Sequence, residues 1–381
     1  MREVAVIGVG STVFGKFPER LLEAMGSEAV WAAINDANIS PKEIQFAHCS
    51  TLFGGAVCGQ RILTEVGISG IEVVNVENAC AGGATAFRGV WYAIASGLYD
   101  IGLAIGAESM TTSPIAGKLI PPAAGDLAGE MGNSAPAHFA LSMRRHMEKY
   151  GTTLEQFAGV SVKNHHNGCL NPYSQYKKEL SIEEILNSRM ICDPITLLQC
   201  CPNTDGAAAV ILCPMSIARK YTNKPISVAA SVLKMGDYVS RWKDLASSDL
   251  TVKCTREAYE MAGLGPEDID VCELHDAFTY SELSHYEELG FCQYGEGGRL
   301  IDEGITEIKG RIPVNPSGGL LSRGHPLSAT GVEQIAEIVW HLRGEAGKRQ
   351  VAGAKVGLAH TMGGEVANLE AGSCAIHILK R

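Results

Sequence analysis

The chain has 381 residues, 46% hydrophobic and 19% charged, enough apolar material for one large core or two medium ones and the wrong balance for disorder. A net charge of −10 argues against a nucleic-acid backbone or an anionic membrane surface as the main partner. No apolar run reaches the length of a membrane span, and twelve cysteines with no C-x-x-C spacing offer neither a zinc site nor a disulfide framework, so reduced thiols and a cytoplasmic location are expected.

In chain order, MREVAVIGVG reads as a first strand rather than a leader segment. IEVVNVE, from residue 71, is a β-branched apolar run and predicts a buried strand. Phe87, Val90, Trp91 and Ile94 follow at spacings of three and four and predict a helix with one apolar face. Cys80 lies at the junction, with Gly82 and Gly83 leaving room around it. A thiol at a helix N-terminus meets free N–H groups and the positive end of the dipole, both of which favour the nucleophilic thiolate. A small buried cysteine in a tight strand–helix turn is the plainer reading of the same residue.

Residues 112–190 differ in texture. A Pro/Gly-rich stretch, TSPIAGKLIPPAAGDLAGEMG, is followed by polar helical segments such as LSMRRHMEKYG and SIEEILNS. We read this region as an insertion over the first half, and NTDGAAAVILCP, 203–214, as a strand returning to the core of that half.

The chain also repeats. ANISPKEI at 37–44 matches AGLGPEDI at 262–269, each after a helical segment and before a strand, and IGLAIG at 101–106 matches VGLAHT at 356–361 more weakly. The two offsets differ by about 30 residues, so the halves carry different insertions. The expected organisation is two similar α/β halves. The first comprises residues 1–111 and, after the insertion, the returning segment 191–222; the second comprises 223–381.

Three histidines stand at element ends in the second half. His275 follows the strand IDVCEL, His325 lies in the Gly/Pro-rich loop NPSGGLLSRGHPLSATG, and His360 is expected to end the strand VGLAHTMGG. Any one of them alone suits a satisfied polar residue. Together, facing a helix-capping cysteine, they suggest a Cys-His-His site.

These segments resemble the thiolase superfamily over nearly the whole length. NACAGGATAF resembles the nucleophile segment, with Cys80 in the nucleophile position. NPSGGLLSRGHPLSATG is close to the Asn-x-x-Gly-Gly…Gly-His-Pro signature. HDAF at 275–278 resembles the His-Asp-Cys-Phe block of the sterol-carrier-protein-type and archaeal thiolases, and KNHHNGCLNPYSQY at 163–176 has the look of that branch. The resemblance implies the thiolase fold, two βαβαβαββ-type halves in a layered α-β-α-β-α core with an inserted loop domain. It also implies thiolysis of a 3-oxoacyl-CoA through a Cys80 acyl-enzyme, with coenzyme A as substrate and no metal in this chain. His325 resembles the base for the thiol proton, His275 an oxyanion-hole group, and the N–H groups of Cys80 and Gly363 a second oxyanion hole.

The sequence departs from the family in one respect. The acid/base cysteine of the His-Asp-Cys-Phe block is Ala277 here, and the C-terminal Cys-x-Gly position reads His360-Thr361-Met362-Gly363. The proton carrier is then expected to be His360, a water held by His275 or His360, or an unplaced thiol such as Cys374; the alternative is a reaction that needs no strong carbon acid or base. The resemblance further implies a homodimer and a small zinc-ribbon/OB-fold partner subunit. Within the branch lie acetoacetyl-CoA thiolases and benzoylsuccinyl-CoA thiolase, the latter being the first specific expectation. A thiolase-fold aldolase or lyase and a non-catalytic acyl-binding scaffold are the alternatives from other classes.

Overall fold

The structure, a computed structural model, describes residues 1–118, 120, 126–237, 244–366 and 370–381. Part of the Pro/Gly-rich stretch therefore lies outside the described residues. Eleven strands are assigned among them: β1 (Val4–Ser11), β2 (Phe46–Ser50), β3 (Glu72–Val76), β4 (Gly102–Ser109), β5 (Met190–Cys192), β6 (Ile195–Thr196), β7 (Asp205–Pro214), β8 (Ile226–Lys234), β9 (Val271–Glu273), β10 (Val356–Val366) and β11 (Glu370–Lys380). Nine form one sheet in the order β3-β2-β4-β7-β1-β8-β11-β10-β9, and β5 with β6 makes a small separate hairpin.

The long sheet is two sheets joined by a narrow seam. β1 meets β8 through only two residue pairs, Ala5 with Ser227 and Val6 with Ile226. The halves repeat strand by strand, β1-β2-β4-β7 corresponding to β8-β9-β10-β11. Even β3 has a counterpart, because Val314 forms a parallel bridge to Cys272 where β3 flanks β2. The matched segments 37–44 and 262–269 both become short turns, at Pro41–Glu43 and Pro266–Asp268. Glu43 accepts the Ser40 N–H at 2.8 Å and Asp268 accepts the Gly265 N–H at 2.9 Å, the same device twice.

Strand alternation sorts the core into layers. In β1, Ala5 and Ile7 pack outward against the helix Leu22–Ala37, while Val4 and Val6 pack inward. The inner cluster joins both halves through Phe87 and Val90 of the helix Gly82–Ser96 and Val332 and Ile335 of the helix Leu327–Arg343. A third cluster covers the far face of the second half beneath the helix Asp249–Ala262. The result is the expected α-β-α-β-α stack, with the two central helices between the half-sheets.

Two expectations need correction. The IEVVNVE segment does form β3, but as a half-buried edge strand with Glu72 and Asn75 exposed, because only β2 pairs with it. His360 does not end a strand: β10 runs on to Val366, paired with β11 through Gly363–Ser373 and beyond. The hairpin ladder keeps the backbone extended past the histidine and leaves its side chain inside the protein.

Candidate active site

The turn that carries Cys80 is assembled from both halves. After β3 the chain passes through Ala79, whose φ of +47° is left-handed, a conformation costing about 1–2 kcal/mol for a residue with a Cβ. Tertiary contacts hold it there. Asn78 donates to Thr85 Oγ1 at 2.9 Å, and its carbonyl accepts the Ala81 N–H at 3.0 Å. β10 presses on the same turn from the second half. A Cβ at Gly363 would lie 2.2 Å from the Asn78 carbonyl oxygen and 2.4 Å from the Ala81 nitrogen, so no larger residue fits. The two central helices are equally tight, since a Cβ at Gly83 would lie 2.3 Å from the Ser328 carbonyl oxygen. Cys80 and His325 each stand two residues before a central helix, at equivalent positions of the repeat. The close helix packing brings them together.

Cys80 Sγ and one ring nitrogen each of His275 and His325 lie within 4.8 Å of one another. The two rings meet edge to face with centroids 5.1 Å apart. Three residues from distant segments thus converge as the sequence suggested, all bordering a cavity of about 1830 Å³.

The hydrogen bonds fix the tautomer of His325. Thr330 Oγ1 donates to the Pro326 carbonyl at 3.1 Å, so at 2.8 Å from His325 Nδ1 it acts as the acceptor. Nδ1 carries the hydrogen and Nε2 keeps its lone pair. Nε2 is buried without a protein partner, as is His275 Nε2. Unpaired buried imidazole nitrogens beside a thiol are costly unless a substrate or water completes them.

Burial dominates the resting protonation state. It pushes the Cys80 thiol up to about 12, against the opposing pull of its own N–H and that of Gly364, with Glu108 and Glu77 adding to the rise. Burial also pulls His325 down to about 3, helped by the neighbouring Arg323. The free site therefore holds a neutral thiol beside a neutral imidazole, and the helix terminus alone does not make a thiolate. Alkylation of Cys80 by iodoacetamide is expected to climb about tenfold per pH unit from pH about 6 to about 9, with the rising thiolate fraction. A plateau near neutrality in a pH series of labelling rates would instead reveal a preformed ion pair.

Behind the histidines lies a buried polar frame. Asp276 accepts the N–H groups of Leu320 at 2.7 Å and Leu321 at 3.2 Å, tying the His275 loop to the His325 loop. Asn164 donates to Asp276 at 2.8 Å and Glu282 at 2.7 Å, and Lys163 pairs with Glu282 at 2.8 Å. The 163–176 segment thus supports the histidine loops. The sequence showed its family look but not this role, because a positioning contact between segments over 100 residues apart has no local signature.

The returning chain before β7 runs between the two histidine loops. Cys200 pairs with Phe278 in an antiparallel bridge, and the Cys201 N–H donates to the Ala277 carbonyl at 2.9 Å. Three residues on, Thr204 Oγ1 accepts the His325 N–H at 3.0 Å.

Two candidates for the proton carrier are not brought to the site. His360 is fully buried, does not line the cavity, and stacks edge-on against His285 with centroids 4.4 Å apart. Cys374 is buried in β11 beside Cys254, also away from the cavity. Gly363 does border the cavity, whereas the N–H groups that reach the Cys80 sulfur are those of Cys80 and Gly364. His285 lines the cavity and was not singled out in the sequence; its Nδ1 is 2.6 Å from Glu288.

Two family descriptions match the chain: "Thiolase, N-terminal domain" over residues 4–216 and "Thiolase C-terminal domain-like" over residues 233–379. An acetyl-CoA acetyltransferase of Methanothermobacter thermautotrophicus is 44% identical over 388 residues, covering 100% of both chains. The benzoylsuccinyl-CoA thiolase subunit BbsB of Thauera aromatica is 38% identical, covering 95% of each. Among solved structures, the Ltp2-ChsH2(DUF35) aldolase superposes with a TM-score of 0.86 at 26% identity, over 99% of this chain and 97% of that one.

Proposed function

The chain belongs to the thiolase family, and on that premise we propose that it is an acyltransferase that cleaves a 3-oxoacyl-CoA by thiolysis through a Cys80 acyl-enzyme. The observation that carries this reading is the convergence of Cys80 Sγ with the His275 and His325 nitrogens at the wall of a large cavity. His325 Nε2, with its lone pair free, takes the Cys80 proton as the sulfur attacks the 3-oxo carbon. His275 and the N–H groups of Cys80 and Gly364, the two that reach the sulfur, hold the oxygens on which charge develops, a contribution of roughly 3–4 kcal/mol per donor in comparable sites. The carbon–carbon bond then breaks, and the thiol of coenzyme A accepts the acyl group from Cys80.

Two acyl substrates have support. The acetyl-CoA acetyltransferase relative favours acetoacetyl-CoA. The BbsB relative favours 2-benzoylsuccinyl-CoA, cleaved to benzoyl-CoA and succinyl-CoA. The stacked Phe139–Phe278 pair on the cavity wall, centroids 4.5 Å apart, suits an aromatic acyl group. The ratio of kcat/KM for the two substrates decides between them. The aldolase neighbour favours a lyase reading. Chromatography of products separates that reading from thiolysis: thiolysis yields two acyl-CoA products only when free coenzyme A is present, whereas a lyase releases a carbonyl compound without it.

For partners we propose a homodimer formed through the first half, supported by the open β3 edge. Light scattering on the chain alone would then report twice its mass. A small zinc-ribbon/OB-fold subunit is also proposed: BbsB is itself named a subunit, and the aldolase neighbour's description pairs Ltp2 with ChsH2(DUF35). No described helix is long and apolar enough to cross a membrane. All twelve cysteines are free thiols, which supports a reducing, cytoplasmic setting.

A further inference from the structure

Thiolysis, on the reading above, leaves the electron pair of the broken bond on the α-carbon of the departing acyl-CoA. That enolate must receive a proton, and Cys80 is occupied by the acyl group while His325 holds the proton of the attacking thiol. We propose that the thiol of Cys201 is the acid that protonates this carbon and, in the reverse direction, the base that removes its proton.

The geometry is that of a short antiparallel ladder. With Cys200 opposite Phe278, the next pair is Cys201 opposite Ala277, joined by the 2.9 Å hydrogen bond from the Cys201 N–H to the Ala277 carbonyl. Directly opposed residues share a face, with Cβ atoms about 4.5–5.5 Å apart. Cys201 and Ala277 both line the cavity that holds Cys80. The unpartnered, buried Nε2 atoms of His275 and His325 open on the same cavity, so a ligand is expected there. Burial holds the Cys201 thiol well above its ordinary value. A thiol held protonated in this way is a reserve acid that gives up its hydrogen only to a strong base such as an enolate.

The balance closes. The Cys201 S–H bond breaks and an α-carbon–hydrogen bond forms, leaving a Cys201 thiolate. The incoming thiol of coenzyme A gives its proton to that thiolate as it attacks the acyl group. Cys80 leaves as a thiolate and recovers its proton from His325. His285 is the competing carrier on the cavity wall, but its Nδ1 is tied to Glu288.

The test uses two half-reactions of the intact chain with a simple acyl-CoA. Transfer of the acyl group to Cys80, followed by mass spectrometry, needs no carbon–hydrogen chemistry. Exchange of α-hydrogens with deuterated water needs it. Cys201→Ala is expected to acylate Cys80 at close to the wild-type rate and to lose α-exchange by roughly a hundredfold or more, the usual scale of general acid–base catalysis. Moving the thiol across the ladder, in Cys201→Ala/Ala277→Cys, is expected to restore exchange. Unchanged exchange in Cys201→Ala overturns the proposal, as does loss of both half-reactions together or failure of the double variant to recover. Exchange that survives Cys201→Ala and disappears in His285→Ala assigns the role to the imidazole instead. Absence of any acylation of Cys80 in the wild type overturns the thiolase reading itself and the proposal with it, a result distinct from selective loss of exchange.

Discussion

Cys80→Ala is expected to abolish CoA-dependent cleavage of 3-oxoacyl-CoA, with turnover falling by at least about 10⁴-fold. Cys80 Sγ stands within 4.8 Å of a ring nitrogen of both His275 and His325, whose Nε2 atoms have no protein partner. The fold should survive the change. Cys80 sits between Ala79 and Ala81, is partly exposed to the cavity, and packs only at the margin of a small cluster with Met110, Ile115 and Leu327. Removing one sulfur there should alter stability by no more than about 1 kcal/mol, because no closed core cavity is made. Steady-state assays with thermal melting check both parts. Residual turnover above that limit in a fully folded variant would identify a mechanism without a cysteine nucleophile.

The largest effect on stability is expected at Arg323. Its side chain is fully buried between the halves, in a close ion pair with Glu333, 3.8 Å from Glu273, and over the Phe14 ring with its guanidinium carbon 5.4 Å from the centroid. Arg323→Ala removes the cation paired with Glu333 and leaves that buried carboxylate without it. Breaking a buried pair on one side typically costs about 3–5 kcal/mol. Replacing both partners, in Arg323→Met/Glu333→Leu, should recover most of that loss, since apolar residues of similar volume avoid the desolvation cost. Denaturant titration of the two variants is the check. Equal destabilisation of single and double variants would show that packing against Phe14, not charge, is the main contribution. Arg323 lies two residues before His325, so the single variant should also lose activity through the displaced loop.

Patterns with a local physical cause could be read directly from the sequence. Continuous apolar runs marked β1 and β7, the Phe87–Ile94 spacing marked the first central helix, and the repeated Pro turns marked the two halves. Cys80, His275 and His325 were legible because each follows a strand or Gly-rich turn, and such ends gather at one edge of the molecule. His360 was misplaced, although the repeat held the correction. VGLAHT aligns with IGLAIG so that His360 falls on Ile105, and Ile105 faces the outer layer of its half. The histidine likewise faces away from the central helices, against His285. The edge position of β3 was hidden because exposure depends on how many strands pair with it, which its own residues do not encode. Cys201 and His285 were hidden for a related reason. Their places depend on a cross-strand register and on a helix wall, contacts formed between segments distant in sequence.

The acyl-enzyme is tested most directly by the mass of the Cys80 peptide after wild-type protein is mixed with a 3-oxoacyl-CoA, quenched in acid within the first turnover and digested. The expected result is a gain equal to the acyl group on Cys80 alone, discharged when free coenzyme A is added before the quench. A peptide that remains unmodified while products accumulate, or an acyl group found on another cysteine that discharges to coenzyme A at the rate of turnover, would contradict it.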